Sequence, residues 1–75
     1  MSFETRTTDD LVRIAAAGGG FTLTASNRTT NDLVRIAAAA SGKGSRIAFT
    51  GLSTRTTDDL VRIGAASKGS VILEG

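Results

Sequence analysis

The segment Arg6–Ala17, RTTDDLVRIAAA, returns with few changes at Arg28–Ala39 and again at Arg55–Ala66. Near-identical copies put the same side chains at equivalent points of successive structural units, so the chain is expected to fold as repeats that pack on one another. Such an arrangement builds ladders and extended surfaces in place of one asymmetric pocket. The expected domain organisation is a single repeat domain over 1–75, with units at approximately 1–20, 21–46 and 47–69 and a terminal strand at 70–75.

Composition removes most catalytic chemistry. With no Cys and no His the chain lacks thiolate and imidazole ligands and the usual general base near neutral pH, so no cofactor, metal site or catalytic residue is assigned. Nine Lys and Arg against seven Asp and Glu leave a net charge of +2, and the signs are interspersed along the chain. That pattern argues against a nucleic-acid partner. No apolar run approaches the roughly 20 residues of a membrane span, and Glu4, Asp9 and Asp10 make the N-terminal segment unlike a signal peptide. A cytoplasmic protein without a membrane partner is expected. At 75 residues, without disulfides, a core supplies only about 3–5 kcal/mol, which makes a second subunit a reasonable source of further stability.

Each repeat opens with a helix start. Thr7, Thr29 and Thr56 fit the N-cap position, with Asp10, Asp32 and Asp59 three places on, and a further Asp9, Asn31 or Asp58 lies in the first turn. Leu11, Ile14 and Ala15, their counterparts Leu33, Ile36 and Ala37, and then Leu60, Ile63 and Gly64 form an apolar stripe at i, i+3, i+4. Arg13, Arg35 and Arg62 are expected to face outward as i, i+4 partners of the acid or Asn in the first turn. Ala runs followed by Gly18-Gly19-Gly20, Gly42-Lys43-Gly44 and Lys68-Gly69 predict left-handed returns.

Between the helices lie short alternating segments. Phe21, Leu23, Ile47 and Phe49 fall on one face, and Thr22, Thr24, Ala48 and Thr50 on the other. With Ser2–Thr5 at the start and Val71–Leu73 at the end, the order reads β-α-β-α-β-α-β. Right-handed crossovers make neighbouring strands parallel. Strands with one apolar and one small polar face argue for helices on one side only. The expected fold is therefore α/β: a parallel four-stranded sheet of repeat β-α units with three helices on one face, a short open solenoid.

At this point the chain resembles the leucine-rich repeats, especially their cysteine-containing relatives. Ile47 and Phe49 match the strand leucines, and Leu52 stands where a small residue belongs. Thr57-Asp58-Asp59-Leu60-Val61-Arg62-Ile63-Gly64 is similar to the helical segment, with the Thr-Asp pair displaced toward the leucine. Phe21, Ile47 and Leu73 follow one another at intervals of 26 residues, whereas the helix anchors Arg6, Arg28 and Arg55 are spaced by 22 and 27, and there is no Asn ladder, Asn27 occurring once and one place late, after Ser26. The resemblance implies binding of other proteins through the exposed sheet.

Three function classes follow. The leading expectation is a non-enzymatic, self-assembling structural protein: solenoid ends need polar caps, none is written at either end, and Ser2, Phe3 and Glu4 are expected to meet Val71, Ile72 and Leu73 of a neighbouring copy. A homo-oligomer, ring or filament would result, and Pro at Ile72 is the expected way to block the edge. A protein-recognition module using Thr22, Thr24, Ala48 and Thr50 is the first alternative. An anion or nucleic-acid binder using Arg6, Arg28 and Arg55, each ahead of a helix N-terminus, is the second; acids in the same turns compete for those groups and favour a structural role for the Arg rows.

Overall fold

The structure, a computed structural model, describes residues 6–26 and 28–75. Their order is α1 (Thr8–Ala16), β1 (Phe21–Thr24), α2 (Thr30–Ala40), β2 (Ile47–Thr50), α3 (Thr57–Ser67) and β3 (Val71–Leu73). The described residues hold three strands where four were expected; Ser2–Thr5, the expected first strand, lies outside them, as does Asn27.

All three helices start as their sequence dictates. Thr7, Thr29 and Thr56 sit in extended backbone, and each hydroxyl accepts from the N–H of the Asp three residues on, at 3.1, 3.2 and 3.2 Å. One orphan donor of each first turn is thereby satisfied. The returns differ from unit to unit. After α1 the chain turns at Gly18, with φ +90°, and α3 ends on Lys68, the single non-glycine residue with positive φ among the described residues. Gly20 is required by crowding: a Cβ there would lie 2.7 Å from the Arg46 carbonyl oxygen at the foot of β2.

The sheet is parallel in the order β1-β2-β3. Phe21 pairs with Ile47 and Leu23 with Phe49, and on the next strand Ile47 meets Val71 and Phe49 meets Leu73. Phe21, Leu23, Ile47 and Phe49 are buried, while Thr22 is exposed and Thr24, Ala48 and Thr50 are half-buried. The buried sheet face joins Leu11, Ala15, Leu33, Ile36, Ala37, Ala40 and Ile63 from the helices in one core. Helix α2 packs between α1 and α3, in the same sequence as the strands beneath.

Two expectations about the last strand need correction. Val71, two residues before Leu73, stands opposite Ile47, so the strand interval shortens from 26 to 24 residues. Only residues 68–70 separate α3 from β3, against 41–46 between α2 and β2, and the shorter return brings the earlier residue into register. Leu73, which the 26-residue interval aligns with the buried Phe21 and Ile47, is 37% exposed, and Leu52, which stands where a small residue belongs, is buried.

Candidate self-association surfaces at the two ends of the helix row

The arginines ahead of the helices are clasps between units. Arg28 Nη1 donates to Thr8 Oγ1 at 2.8 Å and its Nη2 to the Arg6 carbonyl at 2.6 Å. Arg55 repeats the contact one unit on: Nη1 donates to Thr30 Oγ1 at 2.8 Å, and Nη2 to the Ala25 carbonyl at 2.8 Å and to the Arg28 carbonyl. A guanidinium presents several donors in a rigid plane, so one side chain can bridge a hydroxyl and carbonyl oxygens of the preceding unit.

A second ladder runs further along the helices. Arg35 Nη2 donates to Asp9 Oδ1 at 2.6 Å, and Arg62 Nη2 to Asn31 Oδ1 at 2.8 Å. These arginines were expected to pair within their own helices. Arg35 does lie 4.0 Å from Asp32, but the shorter contacts cross to the preceding helix, because the sixth helical residue of one unit comes level with the second of its neighbour. Ser45 Oγ donates to the Ala15 carbonyl at 2.6 Å and Ser70 Oγ to the Ala40 carbonyl at 3.1 Å, tying the entrances of β2 and β3 to the ends of α1 and α2, each one unit back.

Both ladders stop at the outer units. The side chains of Arg6 and Arg13, equivalent to Arg28 and Arg35, are exposed and have no hydrogen-bond or ion-pair partner among the described residues; on the opposite side, the same holds for the side chains of Thr57 and Asp58, equivalent to the acceptors Thr30 and Asn31. Burial follows the same rule. Ile36 and Ile63 are fully buried, but Ile14 only partly; Leu11 and Leu33 are fully buried, but Leu60 only partly. Val12 and Val34 are partly buried, whereas Val61 is 61% exposed. Local sequence is nearly constant across these trios, so the difference measures what the neighbouring unit covers. Beside α1 lies a concavity of about 360 Å³ lined, among the described residues, by Arg6, Asp10, Arg13, Ile14 and Ala17.

Of the expected association residues, Val71, Ile72 and Leu73 form the strand at the end of the described sheet, while Ser2, Phe3 and Glu4 lie outside the described residues. The Ile47 N–H bonds the Ser70 carbonyl and the Glu74 N–H the Phe49 carbonyl. Alternation along a parallel strand then turns the Ile72 peptide toward β2 as well and leaves the Val71 and Leu73 N–H groups facing outward. Pro at Ile72 would break an internal ladder; Leu73 is the edge position. The Ile72 side chain, 49% exposed, instead continues the open sheet face in register with Thr22 and Ala48. Of the expected anion-site residues, Arg28 and Arg55 point at protein oxygens and Arg6 lies at the α1 end. Sequence reasoning missed Arg13, Asp58 and Val61 as end-surface residues; the available signal was their recurrence at the same place in every unit.

Among the described residues no helix is long and apolar enough to cross a membrane, and no group of three or more Asp or Glu side chains is placed to hold a metal ion. Comparison with protein-family models, with curated proteins and with solved structures gives no match.

Proposed function

We propose that this chain is a non-enzymatic, self-assembling repeat protein, a short leucine-rich-repeat-like solenoid whose copies associate head to tail. The observation that carries the reading is the loss of cover on opposite faces: Ile14 at the front of the first helix, Leu60 and Val61 at the back of the third. A symmetric dimer would join like faces, front to front or back to back. Here each face lacks what the other supplies, which is the condition for a heterologous contact. Edge pairing at β3 adds to it, since the outward Val71 and Leu73 N–H groups need partners once covered.

The curvature of such an assembly follows from its two layers. Helices about 9 Å apart lie over strands about 4.8 Å apart, with about 10 Å between the layers, so each unit turns by roughly 25°. Three units turn about 75°, and a flat ring closes with about five chains, helices outside. Out-of-plane twist converts the ring into an open helical filament.

Light scattering after size exclusion tests the reading. At micromolar to millimolar concentration the 7.7 kDa chain is expected to elute as a closed species near about 40 kDa or as a filament. Val61→Lys, at a position 61% exposed in the single chain, should leave folding intact and abolish the larger species. A folded monomer at millimolar concentration would overturn the proposal and favour recognition of another protein on the face formed by Thr22, Thr24, Ala48 and Thr50.

A further inference from the structure

If copies do associate head to tail, the two internal ladders specify how. We infer that Arg6 and Arg13 of one copy are the specificity-determining residues of the joint, and that they engage the oxygens of Thr57, Asp58 and the Arg55 carbonyl on the next. The inference rests on the head-to-tail reading and adds the register of the contact.

The step from unit to unit is stated twice within one chain. From the second unit to the first, the Arg before the helix reaches a Thr hydroxyl and an Arg carbonyl, and the Arg at the sixth helical position reaches an Asp at the second. From the third to the second, the same two positions reach the same two kinds of acceptor, with Asn31 in place of Asp9. Repeating the step once more sets Arg6 against Thr57 Oγ1 and the Arg55 carbonyl, and Arg13 against the Asp58 carboxylate. All four side chains carry the required chemistry, cations on the α1 face and oxygens on the α3 face. Val12 and Val34, the counterparts of Val61, are partly buried against the core, and the same step would cover Val61 with the α1 face of the next copy, whose concavity is bounded by Ile14 and Ala17. An apolar knob flanked by two polar pairs fixes both distance and direction of docking. Arg13 and Asp58 suit a test because neither pairs with another side chain of its own copy among the described residues.

Opposite charges across the joint can be exchanged. Arg13→Asp sets Asp against Asp58 of the next copy, and Asp58→Arg sets Arg against Arg13; like charges facing each other across a joint repel, so each variant alone should associate at least about tenfold more weakly than the parent chain. Mixed in equal amounts they should regain large assemblies as open filaments or even-numbered rings, because such an alternating array contains only opposite pairs: the native Arg13 with Asp58 at one joint, and the reversed Asp with Arg at the next. Circular dichroism of each variant checks that both remain helical. Restoration on mixing, with each variant folded but dissociated alone, supports the register. Variants that assemble alone as the parent does would overturn the register and leave head-to-tail association standing, and so would folded variants that stay apart when mixed. A parent chain that is monomeric at millimolar concentration would remove both readings.

Discussion

Replacing Arg55 by Gln separates the clasp between units from the local chemistry of a helix start. Arg55 donates to Thr30 Oγ1 and to the carbonyl oxygens of Ala25 and Arg28, all in the preceding unit and all partly buried. A buried hydrogen bond to a charged group contributes about 1.5–3 kcal/mol, but bonds from one guanidinium are not additive and these are partly solvated, so about 2 kcal/mol is the reasonable total. For 75 residues the whole folding free energy is about 4–11 kcal/mol, so the loss is a large fraction of it and lowers the melting temperature by about 10 °C. From sequence alone an arginine in these rows looks like an exposed charge whose loss costs under about 1 kcal/mol.

Arg6→Gln is the matched control. Arg6 precedes the same Thr-Thr pair and the same capped first turn, but its side chain has no hydrogen-bond partner among the described residues. Both substitutions remove a cation from the positive end of a helix dipole, and that small gain cancels in the comparison. With no Trp or Tyr in the chain, unfolding is followed by far-ultraviolet circular dichroism in urea, at concentrations low enough that association does not contribute. Arg55→Gln should shift the midpoint strongly at unchanged slope, and Arg6→Gln by under about 0.5 kcal/mol. Equal losses from the two variants would refute the claim that the clasp holds the units together.

Two further changes probe the core and the caps. Phe49→Ala, at a fully buried position on the central strand, should cost about 3–5 kcal/mol in the same urea experiment, whereas Leu73→Ala, 37% exposed in the single chain, should cost clearly less; equal costs would contradict the exposure of Leu73. Thr29→Ala deletes the acceptor for the Asp32 N–H and should lower stability by about 1 kcal/mol, while Thr29→Ser restores it; a Ser variant no better than Ala would argue against capping.

Features governed by neighbours along the chain are legible in the amino-acid sequence alone. A cap depends on a hydroxyl and an N–H three residues apart, so Thr7, Thr29 and Thr56 announce their helices. Strand faces depend on alternation alone, so the burial of Phe21, Leu23, Ile47 and Phe49 under the helices, with Thr22 outside, is equally legible. The arginine contacts are not, because their partners lie 20 to 31 residues away and depend on how far one helix slides past the next. Arg35 lies 4.0 Å from Asp32, three residues back in its own helix, and still makes its shortest contact with Asp9, while Asn31, its expected partner four residues back, receives Arg62. Register at β3 also escapes periodicity, because it is set by the length of the return after α3, where Lys68 takes the left-handed conformation and the chain enters the sheet early.

Repetition leaves open chemistry at the ends of the row and little in the seams between units. Between units the recurring groups are already matched: Thr8 and Thr30 receive an arginine, Asp9 and Asn31 receive another, and Ser45 and Ser70 direct their hydroxyls to carbonyl oxygens of the helix one unit back. A phosphate approaching Arg28 or Arg55 would have to displace those oxygens, and a nucleophile drawn from these hydroxyls would have no imidazole to activate it. At the ends Arg6, Arg13, Thr57 and Asp58 meet solvent, and among the described residues each is missing a side-chain partner of a kind that the opposite end displays. A joint that repeats the internal step would make the contact between chains equivalent to the contact within one. Association would then complete the fold at both ends by the interactions that hold its middle.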